Sequence, residues 1–335
     1  MKRGHVPMLA ALVLGCTPAV PPRPAAPPAP HLHLTPLADL APAAGLHWLV
    51  DVDPRQLLGQ PEVIAALSGV VSEADFDARA RVLGGVDVRS ATALVVGGYA
   101  TSTLFLAAQM VDPARVEAAF AAQVADVEGR AIDQGSASVS VVRVWGASGK
   151  DHESVVVFGR QAAGLCLGSD APLRAAELFA MDKLKRSRPA WRVPPLDRLA
   201  ELLGDAPLRA AAPGPFVGEW GLGLGGLLAS ATGAGAAATV EGDAVRIRAV
   251  ITGTWGDRAV EAEGRLERAY GLLGATGLGR LLELDRPVAP PVFSATRESL
   301  GFELRLRLRP LFVGLRDATA TEVHEIMGVS DHPIL

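Results

Sequence analysis

The sequence predicts an α+β protein of two similar halves after a proline-rich tether. Each half is an antiparallel sheet with packed helices, in the order strand, strand, helix, strand, strand. Three observations carry this. Short turn-forming stretches separate consecutive apolar runs, which favours hairpins over long crossovers. Helix starts are marked by an acid beside a proline. "DPARVEAAF" from Asp112 resembles "DRAVEAEGRL" from Asp257, about 145 residues later, and points to duplication of one unit.

The first half is assigned to residues 45–182. Asp53-Pro54 opens a helix, the acid capping free N–H groups and the proline taking a first-turn position where its missing N–H costs nothing. Ala91–Val111 holds no charge over 21 residues, long enough to cross a bilayer. Gly97-Gly98-Tyr99-Ala100-Thr101-Ser102-Thr103 interrupts it with turn formers, so it reads as two buried strands, Leu94–Gly98 and Thr103–Val111. Asp112-Pro113 opens the next helix, with Val116, Phe120, Val124 and Val127 at helical spacing. Strands over Val139–Trp145, Ser154–Phe158 and Gly164–Leu167 follow, and Ser169-Asp170-Ala171-Pro172 starts another helix.

Charge and proline cluster at 183–195, which is read as a solvated linker; its basic residues leave contact with anionic phospholipid as the alternative. The second half, 196–335, has strands at Thr239–Glu241 and Val245–Thr254 around a Glu241-Gly242-Asp243 turn. From Asp257 an amphipathic stretch runs toward Leu284 through Val260, Leu266, Tyr270, Leu273 and Leu281, and Gly271, Gly274, Gly277 and Gly279 break it in two. Strands at Pro291–Arg297 and Gly301–Arg309 come next. Thr319 with Glu322 is a capping box for a short last helix stopping at Gly328.

The N-terminus fixes an address. Lys2 and Arg3 precede the apolar run Met8–Leu14 and the small Gly15, which reads as a signal peptide over residues 1–15, too short for a resident spanning helix. Val13-Leu14-Gly15-Cys16 resembles the lipobox of bacterial lipoproteins. That resemblance covers only the first sixteen residues, and Val13, Leu14 and Pro7 depart from the commonest pattern. It implies cleavage before Cys16 and a diacylglycerol on its thiol, with further palmitate-type acyl chains. Each buried methylene contributes about 0.8 kcal/mol, so several chains make a stable anchor. Thr17 stands where an inner-membrane retention signal would place Asp, which points to the outer membrane. Pro18–Pro30 holds seven prolines, an extended stalk within a tether at 16–44. His31 and His33 at its end are read as tether residues, since two ligands on a flexible chain make a poor metal site.

The chain carries 32 basic and 36 acidic residues. Loss of residues 1–15 leaves 30 against 36, which argues against a nucleic-acid partner and against a globally polybasic membrane surface. With Cys16 acylated, Cys166 has no disulfide partner and reads as a buried, inert thiol.

Enzyme motifs fail on context. Gly221-Leu-Gly-Leu-Gly-Gly226 satisfies GxGxxG, and Glu241 lies at the distance of a ribose-binding acid, but Pro213 and Pro215 damage the preceding strand and Glu241-Gly242-Asp243 makes a hairpin where a crossover is needed. Gly149-Lys150 lacks the first glycine and the Ser or Thr of a phosphate loop. His324-Glu325 lacks the second histidine of a zinc protease, and Asp151-His152-Glu153 is a polar turn. No residue carries a catalytic role, and no metal or other cofactor is expected.

One pattern stands out. In Phe302–Arg309 the period is two, so Arg305, Arg307 and Arg309 share a face, and Arg246 and Arg248 alternate likewise with Val245, Ile247 and Ala249. If both strands lie in one sheet, five guanidinium groups line its outer face as a candidate site for an anionic envelope component. The alternative pairs them with Glu241, Asp243 or Glu303. The expectation is therefore a membrane-tethered, non-catalytic binding or envelope-scaffold module. An envelope hydrolase without a linear motif and a carrier of an apolar ligand are the other readings.

Overall fold

The computed structural model describes residues 31–127, 131–133, 142–148, 152–184 and 187–326, with side chains left out at 219–220, 222–223 and 318–326. In the first half the strands are β1 (Leu46–Val52), β2 (Ala93–Tyr99), β3 (Ser102–Ala108), β4 (Ala131–Asp133), β5 (Val142–Ser148), β6 (Glu153–Phe158) and β7 (Ala162–Gly168). Helices α1 (Pro54–Leu58), α2 (Pro61–Leu67) and α3 (Glu73–Val82) lie between β1 and β2, α4 (Pro113–Ala125) follows β3, and α5 (Ala171–Ala180) follows β7. The second half runs α6 (Leu196–Leu203), β8 (Leu208–Pro213), α7 (Glu219–Gly226), β9 (Ala231–Glu241), β10 (Ala244–Gly253) and α8 (Ala259–Gly274). It ends with α9 (Gly277–Leu281), β11 (Ala289–Ala295), β12 (Ser299–Arg307) and α10 (Leu308–Ile326).

Two of the caps act as expected from the sequence, whereas Asp170 makes no side-chain capping bond at α5 and α8 starts at Ala259, after a 3-10 turn that holds Asp257. Asp53 accepts from the Gln56 N–H at 2.9 Å and Asp112 from the Ala114 N–H at 3.0 Å, each ahead of a proline in the first turn. The uncharged run at 91–111 is the β2–β3 hairpin, and no described helix is long and apolar enough to cross a membrane. Gly242, at φ +64°, turns β9 into β10, a left-handed conformation that glycine adopts without a Cβ clash. The helix after Asp257 breaks between Gly274 and Gly277, where Thr276 caps α9.

All twelve strands among the described residues join one antiparallel sheet, ordered β11-β12-β10-β9-β8-β1-β2-β3-β7-β6-β5-β4. The fold is α+β, and the duplication is visible in the order: outward from the centre, β1-β2-β3-β7-β6 mirrors β8-β9-β10-β12-β11. The two halves meet edge to edge through β1 and β8, from Leu49↔Ala211 to Val52↔Leu208.

Side chains alternate across the sheet, giving it two apolar faces. On one face Leu49, Val95, Leu104, Leu106, Val144 and Val156 pack with α5, α6 and two 3-10 turns, Leu37–Leu40 and Ala190–Arg192. On the other, α4 covers Val155, Val157 and Ala163 through Val116, Phe120 and Val124. Leu304, Leu306 and Val245 meet α2 and α10 there, and Ile251 and Leu300 meet α8.

The packing revises several sequence expectations. Leu34, Leu37, Ala38, Leu40 and Ala41, assigned to the tether, are buried in the core. In the segment read as a solvated linker, Ala190 and Trp191 are buried, Ala190 N–H donates to Ala41 O at 2.8 Å, and Arg192 pairs with Asp39. The prolines there do not mark a loose linker; they frame a small apolar plug. The sequence reading missed β1, β4, β8, α2, α3 and α6. A bulge between Leu46 and Trp48 breaks the alternation of β1, and the alanines of β8 carry no strand signal. The expected separate helix at Thr319 is instead the later part of the continuous α10, and its expected stop at Gly328 lies outside the described residues.

Candidate anion-binding face

Strands β10 and β12 are neighbours, and their register sets Arg246 opposite Arg305, Arg248 opposite Glu303 and Ala244 opposite Arg307. Since partners across an antiparallel ladder point the same way, Arg246, Arg248, Arg305 and Arg307 share the face expected from the sequence. It is the face that α6 covers nearer the centre, where Val250 of β10 joins the core with Leu199 and Leu203. Further along the strand the helical cover ends and the four arginines are 36–55% exposed.

Arg309 does not join them. The strand ends at Arg307, and Leu308, Arg309 and Pro310 begin α10. Leu308 and Leu311 then turn into the core at helical spacing, which removes Arg309 from the period-two row.

The four guanidinium groups are not free. Glu241, at the end of β9, holds Arg246 Nε at 3.0 Å with one oxygen and Arg305 Nη2 at 2.7 Å with the other. Glu303 lies 3.4 Å from Arg248 and 3.9 Å from Arg246. The result is an unbroken zigzag, Arg248, Glu303, Arg246, Glu241, Arg305. Arg307 pairs separately with Glu283 at 3.6 Å, after α9. The reason is Coulombic: like charges directly opposite repel, and a carboxylate between Arg246 and Arg305 removes that penalty. Glu241 and Glu303 were legible as partners; Glu283 was not, because it is brought in by the α9 turn and no local pattern places it.

The other sequence candidates fall apart or outside. Gly221–Gly226 lies within α7, not in a turn between a strand and a helix. Gly149, Lys150 and Asp151 are outside the described residues, as is Cys16, and the His324 side chain is not described. Among the described residues no group of three or more His, Cys, Asp and Glu is arranged to hold a metal ion. Cys166 is fully buried on β7 and donates to Ser169 O at 3.1 Å; burial pushes its thiol up to about 11, so it is no ready nucleophile.

No protein-family model and no curated protein matches the chain. Among solved structures it is similar to three crystal forms of TP0453. Form III aligns at TM-score 0.49 and 11% identity over 83% of this chain and 96% of that one. Form I gives 0.49 and 8% over 84% and 97%, and form IV gives 0.47 and 10% over 85% and 100%.

Proposed function

We propose that the chain is a membrane-tethered extracytoplasmic lipoprotein, held at the outer membrane through Cys16, whose folded part is a non-catalytic binding or envelope-scaffold module. The cationic start, apolar run and lipobox-like Val13–Cys16 support the tether. The observation that carries the module reading is the arginine zigzag on an uncovered stretch of sheet. It presents a flat, ordered row of charge in place of a cleft.

Arg246, Arg248 and Arg305 share two carboxylates, so the zigzag keeps one surplus positive charge. A partner that offers carboxylate or phosphate groups along a surface, as the anionic components of a cell envelope do, binds by exchanging with Glu241 and Glu303. Such an exchange gives weak, salt-sensitive association, because exposed charges are screened beyond about 8 Å at physiological ionic strength. The test is binding of the wild type and of Arg305→Gln/Arg307→Gln to lipopolysaccharide and to anionic vesicles at two salt concentrations. Weaker binding by the double variant at low salt, with an unchanged thermal midpoint, supports the reading. Equal binding by both proteins refutes it.

A further inference from the structure

A second surface feature lies where β9 overruns β8. Their last pair is Leu208↔Ala238, yet β9 continues to Glu241, so Thr239, Val240 and Glu241 have no strand partner on that side. Pro207, the residue that would come next to Thr239, has no N–H to offer, and its carbonyl is taken by the Asp53 N–H at 2.7 Å. The notch left by the missing strand is closed from the side by the end of α1 and the turn into α2. Together they form a depression of about 330 Å³ lined by Arg55, Gln56, Leu57, Gly59, Gln60, Pro207, Thr239 and Val240.

The lining divides by chemistry. Leu57, Pro207 and Val240 are its apolar residues. Gln56 is committed to Asp53 through its side-chain amide at 2.9 Å. Arg55 and the Gln60 amide have no ion pair or side-chain hydrogen bond among the described residues, which leaves one cation and one amide unspent around the notch. Gly59 is held close to α1, where a Cβ would stand 2.8 Å from the Arg55 carbonyl oxygen, so the turn cannot swing inward under a larger side chain.

We propose that this notch binds the C-terminal end of a short extended peptide, one or two small residues deep. The peptide backbone pairs with the overhanging edge at Thr239–Glu241, which β8 leaves uncovered because it begins at Leu208, and the terminal carboxylate meets the Arg55 guanidinium. Strand addition to an unpaired edge supplies main-chain hydrogen bonds, and arginine's planar fork fits a carboxylate. Gln60 recognises a peptide amide, which is both donor and acceptor like itself. The volume limits the occupant to about two small side chains. The site shares only the Glu241 backbone with the arginine zigzag and draws its charge from Arg55, so it is tested independently of the function proposed above.

The experiment measures binding of N-acetyl-Ala-Ala to the full-length protein in detergent micelles by calorimetry or ligand-detected NMR, with its C-terminal amide and acetate as controls. The expected result is millimolar binding of the acid, weakened roughly tenfold in the amide and in Arg55→Gln, with acetate weaker than the dipeptide. Arg305→Gln/Arg307→Gln is expected to bind N-acetyl-Ala-Ala as the wild type does. Equal affinity for acid and amide, an unaffected Arg55→Gln variant of unchanged thermal midpoint, acetate as tight as the dipeptide, or no detectable binding at 10-fold excess over that range each overturns the proposal.

Discussion

Arg209 donates to Asp51 at 2.5 Å across the seam where the two halves of the sheet join. Both side chains are largely shielded, and the guanidinium also stacks 5.2 Å from the ring centroid of Trp191, on the segment connecting the halves. One arginine therefore ties β1, β8 and the connection together.

Asp51→Asn removes the charge partner and leaves Arg209 with the Trp191 ring alone. Hydrogen bonds to charged groups contribute about 1.5–3 kcal/mol, so a loss of about 2 kcal/mol is expected. Urea unfolding checks it: the midpoint should fall with the slope unchanged, since the surface exposed on unfolding is the same. A midpoint equal to the wild type's would show that the seam does not depend on this pair.

Glu241→Gln removes the carboxylate between Arg246 and Arg305, which then face each other as like charges, Arg246 keeping only Glu303 at 3.9 Å. Both pairs are solvent-accessible, so the stability cost should stay within about 1 kcal/mol. Affinity for anionic vesicles should rise at low salt, the opposite of the effect expected from removing arginines. A stable variant with no gain in binding counts against the exposed face as an anion site.

Cys166 should resist alkylation in the folded protein at pH 8 and react rapidly in urea. Its folded pKa, raised by burial to about 11 from an ordinary value near 9, also sets a direction for stability. The neutral thiol is favoured in the folded state. The contribution is complete below the unfolded pKa and is lost as pH rises from about 9 through about 11. Cys166→Ala should flatten that part of the stability profile.

Gly314 of α10 lies where an added Cβ would come within 1.8 Å of the Leu281 carbonyl oxygen on α9. Gly314→Ala must push the two helices apart, and overpacking of this kind costs about 1–3 kcal/mol. A lowered thermal midpoint checks this. An unchanged midpoint would mean that α9 yields freely.

Cys16→Ala, expressed with residues 1–15, should leave the membrane fraction, whereas the wild type should carry a diacylated N-terminal cysteine by mass spectrometry. Unaltered membrane association of the variant would remove the lipoprotein reading.

Local chemistry was the legible part of this chain. Asp53-Pro54 and Asp112-Pro113 mark helix starts because capping and proline geometry act within one turn, and Glu241-Gly242-Asp243 marks its hairpin for the same reason. What depends on distant partners was hidden. Strand β1 shows a broken alternation because it bulges to fit β2, and β8 shows alanines where α6 packs close over the sheet, with Leu199 and Leu203 against Gly233 and Gly235 of the neighbouring β9. Of the arginine row, the register between β10 and β12 could be anticipated only as a condition. Arg309 was misplaced because leucines at period two before Pro310 continue into leucines at helical spacing after it, and the proline in the first turn of α10 was the signal to stop.

The seam between β1 and β8 has a further consequence for how the chain is made. Asp51 and Arg209 are 158 positions apart, so β1 emerges long before its partner and the first half can complete its own hairpins with one edge bare. Contacts of such separation form late because loop closure must precede them. Until β8 arrives, β1 offers unpaired backbone groups to any passing strand, including the β1 of another nascent copy. Synthesis of the chain therefore creates an interval of self-association hazard at β1, which ends when residues 208–213 dock. A chain truncated before β8 should aggregate through that edge, and one carrying β8 to Pro213 should be the first length at which it is protected.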